Sequence, residues 1–299
     1  MMRTWDAERP VSILGTIGSL RRGSGDPANQ IEPDGAFWRA CTTPRGDVTL
    51  ELKADRGVVT ARAWGPGSSW ALDRLPVMFG EQDDWSGVDV SEHPRLVQAL
   101  RANPGTRLPS TGLIMDSLIP AILEQRVTGM EARRSWRGLL DRYGHRAPGP
   151  KLLQVPPTAR ELLNVPTWEW HKLGVDLQRQ RAVRACATVA ARLEECVDLE
   201  PDAALTRLQI VPGVGLWTAA ETLQRAVGHP DAISVGDYHL ANHVVYFFTG
   251  EPRGTDEQML ELLEPWAGQR QRVVRLIEQT GVGAPRFGPR YSPLNIRAM

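Results

Sequence analysis

The 299-residue chain is 41% hydrophobic and 23% charged, and its 35 basic and 35 acidic side chains cancel to zero formal charge. That length supports a sizeable core and two domains, while no window approaches the roughly 18 unbroken apolar residues of a membrane span and MMRTWDAERP lacks an apolar signal core. A soluble cytoplasmic protein with no membrane partner is expected, and the split from net −4 over residues 1–92 to net +4 over 93–299 is too mild to decide a nucleic-acid partner alone.

The first ninety-odd residues read as mixed and strand-rich. VSILGTI, AFWRAC, DVTLELK and VVTARAW are short and rich in β-branched or aromatic residues, and Pro-Asp-Gly, Pro-Arg-Gly-Asp and Asp-Arg-Gly turns separate the later ones. Residues 68–80 and 93–103 look helical, joined by the acidic connector EQDDWSGVD. From about residue 112 the pattern becomes helices with short breaks. Ile114, Leu118, Ile122 and Gln125 fall three or four apart on one face, and 133–143 forms the next helix after a break at Thr128-Gly129. Thr158 with Glu161 and Thr255 with Gln258 are capping-box signatures at helix starts. Residues 177–197 read as one long helix with Cys186, Val189, Leu193 and Val197 inward, and the stretch after Gly281 reads as loop. There is no repeat at solenoid spacing. The expected fold class is α+β: a small antiparallel-sheet domain over 1–92, then an all-helical domain over 93–299.

The cysteines are Cys41, Cys186 and Cys196. On one helix, Cys186 and Cys196 would lie about 15 Å apart, beyond the roughly 7 Å limit for a disulfide. Buried free thiols are expected, and three cysteines argue against a four-cysteine iron–sulfur cluster.

Residues 201–249 carry the chemistry. Leu205, Leu208 and Ile210 end one helix, Pro212-Gly213-Val214-Gly215 makes a hairpin, and Leu216 or Trp217 opens the next helix. Two glycines let the backbone turn tightly and leave no side chain between its amides and a ligand. Amides at a helix N-terminus suit a phosphate, and such a grip reads no base sequence. Alone, this hairpin is equally a structural turn.

The longer string is more specific. VPGVGLWTA, followed by Gly236-Asp237-Tyr238 with Asp237 twenty residues beyond Trp217, resembles the helix–hairpin–helix DNA glycosylases. Their hairpin has the form Leu/Val-Pro-Gly-Val/Ile-Gly-x-x-Thr-Ala, with a catalytic Asp at a helix start about twenty residues on. LIPAILEQRVTGMEA is similar to the family helix that carries a Gln near the target base, here Gln125. WHKLGVDLQRQRAVRACATVA is similar to the helix preceding the hairpin. The strand-rich part is similar to the extra domain of bacterial 3-methyladenine DNA glycosylase II. The resemblance covers about residues 110–280 well and 1–92 loosely.

This resemblance implies a role for each matching position. Val211, Gly213, Val214, Gly215 and Thr218 would bind the DNA backbone, and Arg126 would stand where the family often has a hydrophobic wedge, filling the gap left by a flipped base. Gln125, Trp217, Glu221 and Tyr238 would line the pocket, and Asp237 would stabilise the cationic sugar; its alternative is a plain helix N-cap. Members that also cut the strand have a lysine where this chain has Trp217, so a monofunctional enzyme acting on alkylated purines such as 3-methyladenine or 7-methylguanine is implied. The partner would be damaged duplex DNA bound without sequence preference by a monomer. Metal is not required; His239 and His243 lack a third ligand at sensible spacing, and at most a monovalent cation on hairpin carbonyls is implied. Two departures concern the pocket: Glu221 replaces an aromatic, and Gln269-Arg270-Gln271-Arg272 replaces a run containing another. Trp168, Trp170, Tyr238 and Trp266 are the candidates to compensate. A lesion-binding protein without turnover, or a helix–hairpin–helix module acting only as a DNA tether, are the alternatives.

Overall fold

A computed structural model describes residues 1–285; most of the loop expected after Gly281 lies outside the described residues. The architecture is α+β. Strands β1 (Met2–Asp6), β2 (Asn29–Ile31), β3 (Phe37–Thr43), β4 (Gly46–Asp55) and β5 (Val58–Trp64) form an antiparallel sheet in the order β1-β5-β4-β3-β2. Phe37 lies opposite Leu52 and Cys41 opposite Val48. VSILGTI is not a strand. Ser12 accepts the Gly15 amide and starts helix α1 (Ile13–Ile17), whose buried Ile13, Thr16 and Ile17 recur at helical spacing.

Both faces of the sheet are covered. Helix α1, with α2 (Ser68–Asp73) and α3 (Leu75–Met78), packs on the face that carries Phe37, Leu50, Leu52, Val59 and Ala61. The other face presents Trp38 and Ala40 to Ala147, Leu153 and Val155 of a small ribbon, β6 (His145–Arg146) and β7 (Gln154–Val155). There Trp38 stacks on Trp64 with ring centroids 5.5 Å apart.

The helices divide into two lobes with separate cores. Helix α4 (Pro94–Ala102) precedes α5 (Ile114–Glu124), α6 (Gly129–Tyr143), α7 (Ala159–Asn164), α8 (Thr167–Lys172), α9 (Leu177–Thr188), α10 (Ala190–Glu194), α11 (Pro201–Gln209) and α12 (Leu216–Ala226). Helices α5 to α12 share one core around Ile114, Leu118, Ile122, Trp170, Val183, Leu208 and Leu223. The last helices among the described residues are α13 (Leu240–Thr249), α14 (Asp256–Leu263) and α15 (Arg270–Gln279). These close a second core around Leu96 of α4, Val244, Met259, Val273 and Ile277. Helix α4 therefore returns to the last helices across most of the sequence. Residues 227–235 join the lobes. No helix of the described residues is long and apolar enough to cross a membrane.

Three capping boxes set helix starts. Those at Thr158 and Thr255 were expected; the third, Thr128 with Glu131, starts α6 four residues earlier than the pattern indicated. The long helix expected over 177–197 is broken at Val189, which lies outward at 40% exposure and separates α9 from α10. The break swings Glu194 towards α5, where its carboxylate accepts the Ile114 and Met115 amides at 2.8 and 2.9 Å. Cys186 and Cys196 thus do not share a helix, and all three cysteines are free and buried. Burial pushes the Cys41 thiol up to about 11 and that of Cys186 up to about 12, so both stay protonated and unreactive at neutral pH. Arg39 ties the sheet to the first helical lobe. Its buried guanidinium donates to Asp116 of α5 at 2.6 Å and to Asn29 at 3.1 Å.

Candidate active site

The hairpin between α11 and α12 is built on two buried pegs, Val211 and Val214, with the Val214 amide closing the turn onto the Val211 carbonyl at 3.0 Å. Gly213 has φ +90°, and a Cβ there would lie 2.6 Å from the Cβ of Ala182 on α9. Only glycine fits both the conformation and the space. Gly215 differs: nothing lies within 4 Å of its Cβ position, and it is the N-cap of α12 with no side chain capping that helix. The first amides of α12 are therefore open to solvent at the positive end of an eleven-residue helix. Gln125, just past the end of α5, braces the hairpin by donating its amide to the Gly213 carbonyl at 2.9 Å and to the Thr218 hydroxyl at 2.7 Å.

Asp237 sits on the next turn of chain, at the entrance to the second lobe. Gly236 has φ +86° and donates its amide to Asp256 Oδ2 at 2.9 Å, while the Asp237 amide closes onto the Ser234 carbonyl. One carboxylate oxygen, Asp237 Oδ1, accepts the amides of His239 and Leu240 at 2.8 and 2.9 Å, so Asp237 caps α13. That helix opens at Leu240, two residues after the expected start at Tyr238. The other oxygen, Oδ2, accepts the indole N–H of Trp217 at 3.1 Å. Trp217 stands one residue inside α12, so this bond joins the helix after the hairpin to the second lobe. The result is a half-buried carboxylate with both oxygens oriented by donors, beside an exposed helix N-terminus.

The arrangement places the other candidates unevenly. Arg126 is exposed and has φ +53°, and with Gln125 at φ −60° and ψ 123° it forms a type II turn that non-glycine residues rarely occupy. Among the residues expected to bind DNA, Val211, Val214 and Thr218 are buried, whereas Gly213, Gly215 and Arg126 are exposed. Tyr238 is 83% exposed beside Asp237. Asp256 was not singled out from sequence; it follows the capping residue Thr255, but nothing local marks it as the anchor of Gly236.

No family model matches the chain. A 3-methyladenine DNA glycosylase from Archaeoglobus fulgidus superposes with a TM-score of 0.79 over 93% of this chain and 98% of its own, at 16% identity. An 8-oxoguanine glycosylase/lyase from Clostridium acetobutylicum, solved with double-stranded DNA, gives a TM-score of 0.71 over 93% and 96%, at 11% identity. The chain has the helix–hairpin–helix DNA glycosylase fold. Its sequence is also 30% identical over 152 residues to the probable bifunctional transcriptional activator/DNA repair enzyme AlkA of Mycobacterium tuberculosis, a match that covers 49% of this chain but only 30% of that relative's length.

Within this glycosylase fold the expected compensating aromatics are dispersed. Trp170 is fully buried in the first lobe, Trp266 is buried in the second and donates to the Asp89 carbonyl, and Trp168 is 59% exposed under the Lys172 ammonium. The run at 269–272 is structural: Arg270 pairs with Asp231, and Arg272 pairs with Asp83. His239 and His243 have ring centroids 6.2 Å apart, and no group of three or more His, Cys, Asp or Glu suited to a metal occurs among the described residues.

Glu221 is committed to its neighbours. Its carboxylate accepts from Arg225, one turn along the same helix, at 2.8 Å and from the Ser234 hydroxyl at 2.6 Å. Ser234 also accepts the Gln224 amide at 2.9 Å, so the network fastens α12 to the segment leading to Asp237. The partner of Glu221 is thus on its own helix, and its charge is already compensated. Glu221→Gln is accordingly expected to affect release of a cationic base and of a neutral one by the same factor. A loss confined to the cationic base, in parallel single-turnover assays, would show that the carboxylate senses substrate charge.

Proposed function

We propose that the chain is a monofunctional DNA glycosylase that hydrolyses the N-glycosidic bond of alkylated purines, 3-methyladenine or 7-methylguanine, in duplex DNA. The observation that carries this reading is the oriented carboxylate of Asp237, held by Trp217 and by the α13 amides next to an uncapped helix N-terminus. The open hairpin amides would grip a backbone phosphate without reading sequence, and Arg126 would enter the gap as the damaged base flips out. Loss of the base leaves positive character on the sugar; the Asp237 anion would stabilise it and orient the attacking water. The Archaeoglobus fulgidus protein that shares this fold is named for 3-methyladenine, and the Mycobacterium tuberculosis relative is named a DNA repair enzyme.

Trp217 supports the monofunctional assignment, because an indole nitrogen cannot form the Schiff base that a lysine would. A monovalent cation would have to share carbonyls already in use, since Val211 accepts the Val214 amide and Gly213 accepts Gln125. No step here depends on one. We further read the protein as a monomer acting in the cytoplasm on nucleoid DNA.

The test is a duplex with a single 7-methylguanine. Abasic sites are expected, revealed as breaks only after alkali, and borohydride should trap no covalent adduct. A trapped adduct would contradict the monofunctional reading. Tight binding without abasic sites would favour a lesion-binding protein instead, a reading prompted by the absence of Trp168, Trp170 and Trp266 from the Asp237 cluster.

A further inference from the structure

A cavity of about 370 Å³ lies between the turn that joins β3 to β4 and the first helical lobe. Its walls are mostly apolar, including Met115, Ile119, Trp136 and Leu162, and Ala191 stands at its edge. It lies beside the N-terminal half of α5, which contributes Met115, Asp116 and Ile119. Gln125 and the hairpin lie past the other end, about 16 Å along an eleven-residue helix, so the cavity is separate from the Asp237 site.

Two carboxylates, Asp116 and Glu194, line this otherwise apolar space. Arg39 compensates Asp116 at 2.6 Å. Glu194 has only the Ile114 and Met115 amides, with no lysine, arginine or histidine paired to it among the described residues. Burial raises the Glu194 carboxyl above its ordinary range, the two amides pull it back, and Asp116 repels it further. The α5 amides explain why a carboxylate is tolerated here. They do not explain an adjoining empty apolar volume in the size range of small-molecule pockets.

We propose that this cavity binds a small organic cation, an aromatic or aliphatic ring bearing an ammonium group, with the ring against Trp136 and Ile119 and the ammonium at Glu194. A bare metal ion would leave the apolar walls unused, and a neutral apolar molecule would leave the surplus negative charge without a partner.

The test is calorimetric titration of the full chain with tryptamine and with tryptophol, its neutral counterpart. Tryptamine is expected to bind about tenfold more tightly. Glu194→Gln should remove most of that preference, and Ala191→Trp, which fills the edge of the cavity from an exposed position, should abolish binding of both. Asp237→Asn should change neither, which separates this site from the proposed active site. Equal binding of the two compounds would overturn the proposal, as would no binding of tryptamine at millimolar concentration or a preference that survives Glu194→Gln. Loss of tryptamine binding in Asp237→Asn would place the ligand at the active site and refute the cavity assignment.

Discussion

Asp237→Asn is expected to bind lesion duplex as the unmodified chain does and to lose base release by roughly a hundredfold or more, because electrostatic stabilisers of this kind contribute about 3–4 kcal/mol in the transition state. The geometry separates the two roles of this residue. Capping needs one acceptor towards the His239 and Leu240 amides, and the asparagine carbonyl supplies it, so a loss of about 1 kcal/mol of cap stability is avoided. The position facing Trp217 then holds an amide NH₂ opposite an indole N–H, two donors with no acceptor between them. The double variant with Trp217→Phe removes that conflict. If the conflict alone reduced the rate, the double variant would recover; if the negative charge is needed, it stays slow. Single-turnover kinetics on a 7-methylguanine duplex, with binding followed separately by anisotropy, distinguish these outcomes. A purified Asp237→Asn protein with the unmodified rate would refute the catalytic assignment.

The parts of this molecule that could be read from the chain are those whose causes are local. The hairpin glycines, the capping boxes at Thr158 and Thr255, and the strands β3 to β5 each follow from a few adjacent residues. The pairing of Asp237 with the hairpin was legible only through resemblance, because nothing near residue 237 says that Trp217 will meet it. What escaped the sequence reading depends on distant partners. The edge strand β1 alternates between exposed and half-buried positions and buries no residue, so it gives a weak apolar signal. The periodicity of 177–197 predicts an inward Val189, but the chain breaks there and Glu194 caps a helix eighty residues earlier. Asp256, an ordinary first-turn acid of α14, becomes the anchor of Gly236 only once the second lobe has folded. Two of the candidate compensating aromatics are committed elsewhere for a related reason: Trp170 and Trp266 have the right chemistry but are used in two separate cores. The division into lobes follows the packing of α4 on α15, which no local pattern announces.

Gly215→Asp should separate stability from DNA affinity in opposite directions. The position has open space around it and an ordinary extended backbone, φ −89° and ψ 179°, so a side chain fits without strain. It is also an N-cap lacking any side-chain cap, and aspartate there is slightly better than glycine, by a few tenths of a kcal/mol. Thermal melting should therefore be unchanged or raised. Affinity for an abasic-site duplex should fall by about tenfold or more, because the carboxylate would occupy the amides offered to a phosphate and repel that phosphate directly. The loss should be equal on duplexes of unrelated sequence, since only backbone contact is involved. Gly213→Asp is a poorer experiment. With φ +90° and Ala182 only 2.6 Å from the new Cβ, it would weaken binding by distorting the hairpin whether or not that hairpin touches DNA. Gly215→Ala completes the comparison: it adds bulk without charge, so a loss seen with aspartate but not alanine assigns the effect to electrostatics. Unchanged affinity in Gly215→Asp, in a protein that melts normally, would mean that the exposed amides of α12 are not the phosphate anchor.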